Sequence, residues 1–179
     1  LYAIIKAANL IVDNAEKVPT TQDEINIALG QAYYWRAFSY FSLVRLFGPL
    51  PLILHNDVDN NDTPLTSVAD IYTQIVSDLI AAENCNLPAK YTGTNRGING
   101  ANIYVSVQTV KATLAAVYMA MAGYPLNQTS YYAQAAAKAK EVIDGVTNGI
   151  YPQSLLADWG QVYSYGNKYH DESLLSIYY

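Results

Sequence analysis

Residues 31–52 read QAYYWRAFSYFSLVRLFGPLPL: seven aromatic rings and two arginines in a segment of helical character, closed by Gly48-Pro49. Whether these rings form a platform for a ligand or the middle of a core decides the fold. On a helical wheel of about 100° per residue, Tyr33, Ala37, Tyr40, Phe41, Val44 and Phe47 fall on one side within about 120°. Trp35, Leu43 and Leu46 occupy the other side, so the helix is apolar nearly all round and is expected to be largely buried between neighbours. Arg36 lies near the edge of the main face, where a buried guanidinium requires a carboxylate or several carbonyls as partners. The segment therefore reads as a central scaffold helix rather than a ligand platform.

The flanking sequence supplies the helices that would bury it. Thr21 followed by Glu24 is a capping box, which predicts a helix from about Gln22 to Phe47. Upstream, residues 1–17 place Ile4, Ala8, Ile11, Val12 and Ala15 at helical spacing until Val18-Pro19. Ser67 with Asp70 opens a third helix, whose apolar face (Val68, Ile71, Tyr72, Ile75, Leu79, Ala82) runs to about Asn84. A fourth runs from about Tyr104 to Ala122, its small residues Ala112, Ala115, Ala116, Ala120 and Ala122 permitting close packing, and Gly123-Tyr124-Pro125 ends it. Ser130 opens an alanine-rich fifth to about Val146, with Ala133, Ala137, Ala139 or Lys140, and Ile143 expected inside. Between them lie a polar loop at residues 54–66 and a longer Asn/Gly loop at residues 84–103. Residues 148–170 read as irregular, and SLLSIYY from Ser173 to Tyr179 as β-prone.

About five helices joined as antiparallel neighbours indicate an all-α fold of helix–turn–helix repeats. Fragments of the tetratricopeptide pattern are visible. Leu29-Gly30-Gln31-Ala32-Tyr33 matches its L-G-x-x-Y element, and Leu114, Ala115 and Tyr118 repeat the spacing with Ala for Gly. The loops are too long for uniform units of about 34 residues, so the repeats are degenerate.

Composition narrows the chemistry. A chain of 179 residues with 51% apolar and 14% charged residues suffices for a single helical domain over 1–179 with a sizeable core. Net charge is −5 and the ten Lys and Arg are scattered singly, which argues against nucleic acid as a partner. The lone Cys85 gives neither a disulfide framework nor a zinc site. No apolar run approaches the roughly 18 to 20 residues of a transmembrane helix. The chain opens on Leu1 without a signal-peptide pattern, and is expected to be an excised piece of a longer protein.

Motifs that would carry catalysis or metal binding fail on inspection. Asp57-Val58-Asp59-Asn60-Asn61-Asp62 begins like an EF-hand but has Asp62 where Gly is needed and Val68 where the bidentate Glu belongs, so it reads as a solvated loop. Gly93-Thr94-Asn95-Arg96-Gly97-Ile98-Asn99-Gly100 fits neither the dinucleotide nor the Walker spacing and reads as a flexible loop. His55 and His170 stand in no zincin or nucleophile-elbow context. No catalytic residue, metal ligand or cofactor site is assigned. Asp158 beside Trp159 is the most suggestive acid, since a carboxylate next to an indole suits a sugar. The competing reading, Trp159 packed on the helices while Asp158 caps a turn, is favoured by the usual burial of large aromatics.

Taken together, the landmarks resemble one family. Arg36-Ala37-x-x-Tyr40-Phe41-x-Leu43-Val44-x-x-Phe47-Gly48-x-x-Pro51-Leu52 is similar to the signature helix of SusD/RagB-type nutrient-binding outer-membrane lipoproteins of Bacteroidetes, which reads R-A-x-x-Y-F-x-L-V-x-x-[FY]-G-D-V-P-L. Tyr2-x-x-Ile5-x-x-x-Asn9 and Ile71-Tyr72-x-x-Ile75-x-x-Asp78-Leu79-x-x-Ala82-Glu83 resemble its neighbouring landmarks. Val110-Lys111-Ala112-x-Leu114-Ala115-x-Val117-Tyr118 with Ala122-Gly123-Tyr124-Pro125-Leu126-Asn127 looks like a later helix and turn. Tyr132-x-x-Ala135-x-x-x-Ala139-Lys140-Glu141-Val142-Ile143-Asp144 and Glu172-Ser173-x-Leu175-Ser176-Ile177 complete the series in order. Gly48-Pro49-Leu50-Pro51 departs from G-D-V-P, which removes the acid of that turn. Ser106-Val107-Gln108 stands where small residues and Lys or Arg are more usual.

The resemblance implies the N-terminal, tetratricopeptide-bearing part of a surface-exposed lipoprotein. Such a protein captures an oligosaccharide or other nutrient without enzymatic turnover and delivers it to a SusC-like TonB-dependent outer-membrane transporter. Membrane attachment would come only through a lipid anchor outside this chain. Two alternatives remain: a generic tetratricopeptide-type adaptor that binds a peptide in its groove, and a fragment of an all-α glycoside hydrolase. For the ligand, the candidate residues are Trp159, Tyr163 and Tyr165, rings in an irregular segment able to stack on a sugar.

Overall fold

The Thr21 hydroxyl accepts a hydrogen bond from the Glu24 amide at 3.4 Å, and the central helix starts there. Gly48 ends it at φ +71°, a conformation that L side chains rarely adopt. In a computed structural model that describes residues 1–56, 63–91, 97–98, 101–102, 104–164, 170 and 172–175, five α-helices follow one another. They are α1 (Tyr2–Asn14), α2 (Gln22–Phe47), α3 (Val68–Asn84), α4 (Val107–Ala122) and α5 (Tyr131–Thr147), with 3₁₀ turns at Ala15–Lys17 and Trp159–Tyr163. Two antiparallel pairs of two-residue strands decorate the connections. Strand β1 (Leu50–Pro51) pairs with β2 (Leu65–Thr66), and β3 (Gly97–Ile98) with β4 (Ala101–Asn102).

Side-chain contacts give the direction of each helix. Along α2 and α3, Gly30 faces Leu87, Arg36 meets Asp78 and Phe41 meets Tyr72, so the two run antiparallel. Lys111 pairs with Glu141 and Tyr118 stacks on Tyr131, so α4 and α5 are antiparallel as well. Gln31 binds Val105 and Tyr34 binds Thr113, which makes α2 and α4 parallel, as alternate members of an antiparallel series must be. The result is the expected all-α arrangement of tetratricopeptide-like helical hairpins.

The core forms where these faces meet. Tyr40, Ile71, Ile75, Leu79, Val110, Leu114 and Val117 are fully buried, each aliphatic one contributing about 1.5–3 kcal/mol of transfer free energy. Through this core runs a polar bridge. Arg36 binds both oxygens of Asp78 at 2.7 Å and donates from Nη1 to Asn9 Oδ1 at 3.0 Å and to the Leu54 carbonyl at 3.3 Å. Asn9 donates in turn to the Ile53 carbonyl, while Tyr40 both donates to that carbonyl and accepts from the Ile53 amide. The carboxylate partner that the sequence required is Asp78, and the bridge ties α1, α2, α3 and the chain after α2 together. Burial alone would lower the Arg36 pKa, but the hydrogen bonds and charge of Asp78 outweigh it and hold the guanidinium above its ordinary value. Burial pushes the Tyr40 hydroxyl up to about 12.

Several local expectations need correction. In α1 the inward residues are Ile5, Ala8 and Asn9, whereas Ile4 and Ile11 face outward. In α5 the buried positions are Ala135 and Gly145, not Ala133 or Ala137, and Ile143 is exposed. Helix α4 begins at Val107, three residues after the expected start, with Ser106 fixed by the Thr109 hydroxyl at 2.9 Å. The rings of α2 divide: Tyr34, Tyr40 and Phe41 are buried, but Phe38 is 36% exposed and Phe47 lies open at the helix end. The Asn/Gly loop read at 84–103 carries the β3–β4 pair, with Gly97 opposite Asn102 and Ile98 opposite Ala101. Ser173 and Leu175 belong to no strand, and 176–179 lie outside the described residues, as do the acidic run 57–62 and most of the glycine-rich loop.

Candidate functional site

The segment after α5 is held at its base and open at its tip. Helix α5 stops where Gly149, at φ +70°, turns the chain back, and the amides of Ile150 and Tyr151 both donate to the Gly145 carbonyl. The Tyr151 ring lies against Gly145, whose missing side chain makes room for it. Further on, Gln153 accepts from Gln108 at 3.2 Å and the Leu156 amide donates to the Glu172 carboxylate at 3.2 Å. The fold thus pins the connection at both edges before it reaches the tip.

At that tip Asp158 caps the 3₁₀ turn, its Oδ1 accepting from the Gly160 amide at 2.9 Å. The turn presents Trp159 at 78% exposure and Tyr163 at 80%, their ring centroids 6.2 Å apart and the planes 83° to one another. Of the two readings of this stretch, Asp158 does cap a turn, but Trp159 does not pack on the helices. Tyr165, the third candidate, lies outside the described residues. Two exposed rings at right angles offer an apolar face and an edge, with the indole N–H and the phenol O–H as polar handles. A pyranose ring has the complementary chemistry, a face of C–H groups bordered by hydroxyls.

Other ionisable clusters are structural. Glu83, Lys111, Lys138 and Glu141 form a network across α3, α4 and α5 with contacts of 2.7–3.6 Å. Burial is the largest single influence on the Glu141 carboxyl and raises its pKa, but the hydrogen bonds and charges of Lys111 and Lys138 together prevail and hold it below its ordinary value. His55 bonds Asp13 at 2.8 Å, and chiefly through that hydrogen bond the Asp13 carboxyl is lowered as well. Among the described residues no group of three His, Cys, Asp or Glu is arranged to hold a metal ion, and no helix is long and apolar enough to cross a membrane.

Comparison with known proteins places this architecture. Residues 1–119 match the SusD-like family model described as "Starch-binding associating with outer membrane". A SusD-like protein of Bacteroides ovatus is 26% identical over 184 residues, an alignment covering 98% of this chain and 31% of that protein. The crystal structure of a SusD superfamily protein from Parabacteroides distasonis superposes with a TM-score of 0.76 at 30% identity, over 90% of this chain and 32% of that one. A structure solved with xylogluco-oligosaccharide superposes at TM-score 0.79 and 25% identity, over 98% and 33%. The chain therefore spans about a third of the length of the relatives it matches. On the family match, the order of the helices and the shared fold, the chain belongs to the SusD-like family.

Proposed function

We propose that the chain is the N-terminal helical part of a longer, non-enzymatic glycan-binding protein. In this reading the protein stands on the outer face of a bacterial outer membrane, held by a lipid anchor outside this chain. It captures an oligosaccharide and passes it to a SusC-like TonB-dependent transporter, for which the helices act as scaffold. The observation that carries the reading is the exposed Trp159–Tyr163 pair on its Asp158-capped turn, fixed at both edges to a helical body. The family description and the relative solved with xylogluco-oligosaccharide support glycan as the ligand class.

Native gels cast with a panel of soluble polysaccharides, run with the full parent polypeptide, test this directly. Retardation by at least one glycan without release of reducing ends is the expected result. Reducing-end release would instead favour the hydrolase alternative, and binding confined to peptides the adaptor.

A further inference from the structure

The turn at Gly149 sends the chain back beside the last turns of α5, and an open cleft of about 310 Å³ remains between the two. Val142, Ile143 and Val146 of α5 form one wall and Leu155 of the returning chain the other, so most of its surface is apolar. Ile143 and Leu155 are exposed there. Glu172 also lines the cleft, and among the described residues no Lys, Arg or His does. One oxygen of the Glu172 carboxylate accepts from the Leu156 amide, whereas the other carries no hydrogen bond among the described residues. The Thr147 hydroxyl is already taken by the Ile143 carbonyl at 2.9 Å, while Ser154 brings a second hydroxyl to the lining.

These residues set the chemistry of a group that fits. It needs an apolar part to leave water for the aliphatic walls, a donor for the free Glu172 oxygen, and no negative charge, which that carboxylate would repel. An ammonium would meet the carboxylate but lose its hydration to the apolar walls. A sugar hydroxyl has the donor without the methyl, and an O-acetyl ester the methyl without the donor. An acetamido group has both, and its carbonyl is left to accept from the Ser154 hydroxyl. We propose that the cleft is a subsite for the acetamido group of a 2-acetamido sugar, so that the glycan held by the ring pair contains neutral N-acetylhexosamine. One ligand can reach both places, because the four residues from Leu155 to Trp159 span at most about 14 Å of chain, a length covered by a few linked pyranoses. The proposal rests on the reading of Trp159 and Tyr163 as rings that stack on sugar, and it names the sugar.

N-acetylchitopentaose and cellopentaose test it, since they share linkage and length and differ only in carrying an acetamido or a hydroxyl group at the second carbon of each sugar. In calorimetric titrations the parent polypeptide is expected to bind N-acetylchitopentaose at least roughly tenfold more tightly. Glu172→Gln, an isosteric change at an exposed position, should remove most of that preference while leaving cellopentaose affinity and Tm unchanged. Ile143→Ser, which trims the apolar wall at another exposed position, should weaken N-acetylchitopentaose alone. Equal affinity for the two pentaoses, tighter binding of cellopentaose, or a preference that survives both replacements would overturn the proposal. If neither pentaose binds while another glycan is retained in the native gels, this proposal alone falls. If no glycan is retained at all, the reading of the rings falls with it.

Discussion

The guanidinium of Arg36 and the carboxylate of Asp78, 42 residues apart in sequence, meet in a two-pronged ion pair with both N···O distances 2.7 Å and only 4% and 2% of the residues exposed. Two charges withdrawn from water at this depth are tolerable only together, and the bridge to Asn9 and the Leu54 carbonyl uses a third donor of the guanidinium.

Removing one partner should therefore cost more than removing both. Asp78→Ala is expected to lower the unfolding free energy by about 3–5 kcal/mol in urea titrations, because Arg36 is left buried without its counter-charge. Arg36→Met combined with Asp78→Leu should recover most of that loss. Additive effects of the two single replacements would mean that the pair does not act as a unit.

Gly30, part of the L-G-x-x-Y element, owes its identity to a close approach of chains. A Cβ built there would lie 2.6 Å from Leu87 Cδ2 and 3.1 Å from Cys85 Cβ. Gly30→Ala is expected to destabilise by about 1–3 kcal/mol through overpacking. Leu87→Ala added to it should cost less than Leu87→Ala alone, a coupling that a double-mutant cycle resolves.

That glycine illustrates what was legible beforehand and what was not. Helices α2 and α3 could be bounded from sequence because Thr21, Ser67 and Gly48 are local signals acting on their own turns. Which face of α1 points inward is not local. Ile4, Ile5, Leu10 and Ile11 distribute apolar surface around the helix, and the decision falls to Asn9, whose partners Arg36 and Ile53 are far away in sequence. Alanines all round α5 leave no apolar stripe to read, so its orientation follows from Lys138 and Glu141 reaching Glu83 and Lys111, and from Gly145 receiving Tyr151. For the candidate site, the irregular character of the segment was readable, but the exposure of Trp159 was not, since it depends on which neighbours fail to cover it.

The charged network sets a pH dependence. With its folded pKa below the ordinary 4.5, Glu141 binds its proton less readily in the native state than in the unfolded one. Its stabilising contribution is complete above pH 4.5 and is lost as pH falls through the lowered folded value. Stability curves measured from neutral pH into this acid range should fall less steeply for Glu141→Gln than for the unaltered protein. Parallel curves would remove Glu141 from the acid response.

The exposed rings should be dispensable for folding. Trp159→Ala and Tyr163→Ala each remove a side chain that buries little, so each is expected to shift stability by less than about 0.5 kcal/mol. A drop of several degrees in Tm would show that these rings are packed against something in the parent protein.

Calorimetric titration of the parent polypeptide with the glycan it retains best is the most direct measurement of the central claim, comparing the unaltered protein with the Trp159→Ala/Tyr163→Ala double variant. Losing two stacking surfaces should weaken binding by at least about 2 kcal/mol, roughly thirtyfold, with thermal stability unchanged. Equal affinity in the two proteins would contradict the assignment of these rings to the glycan.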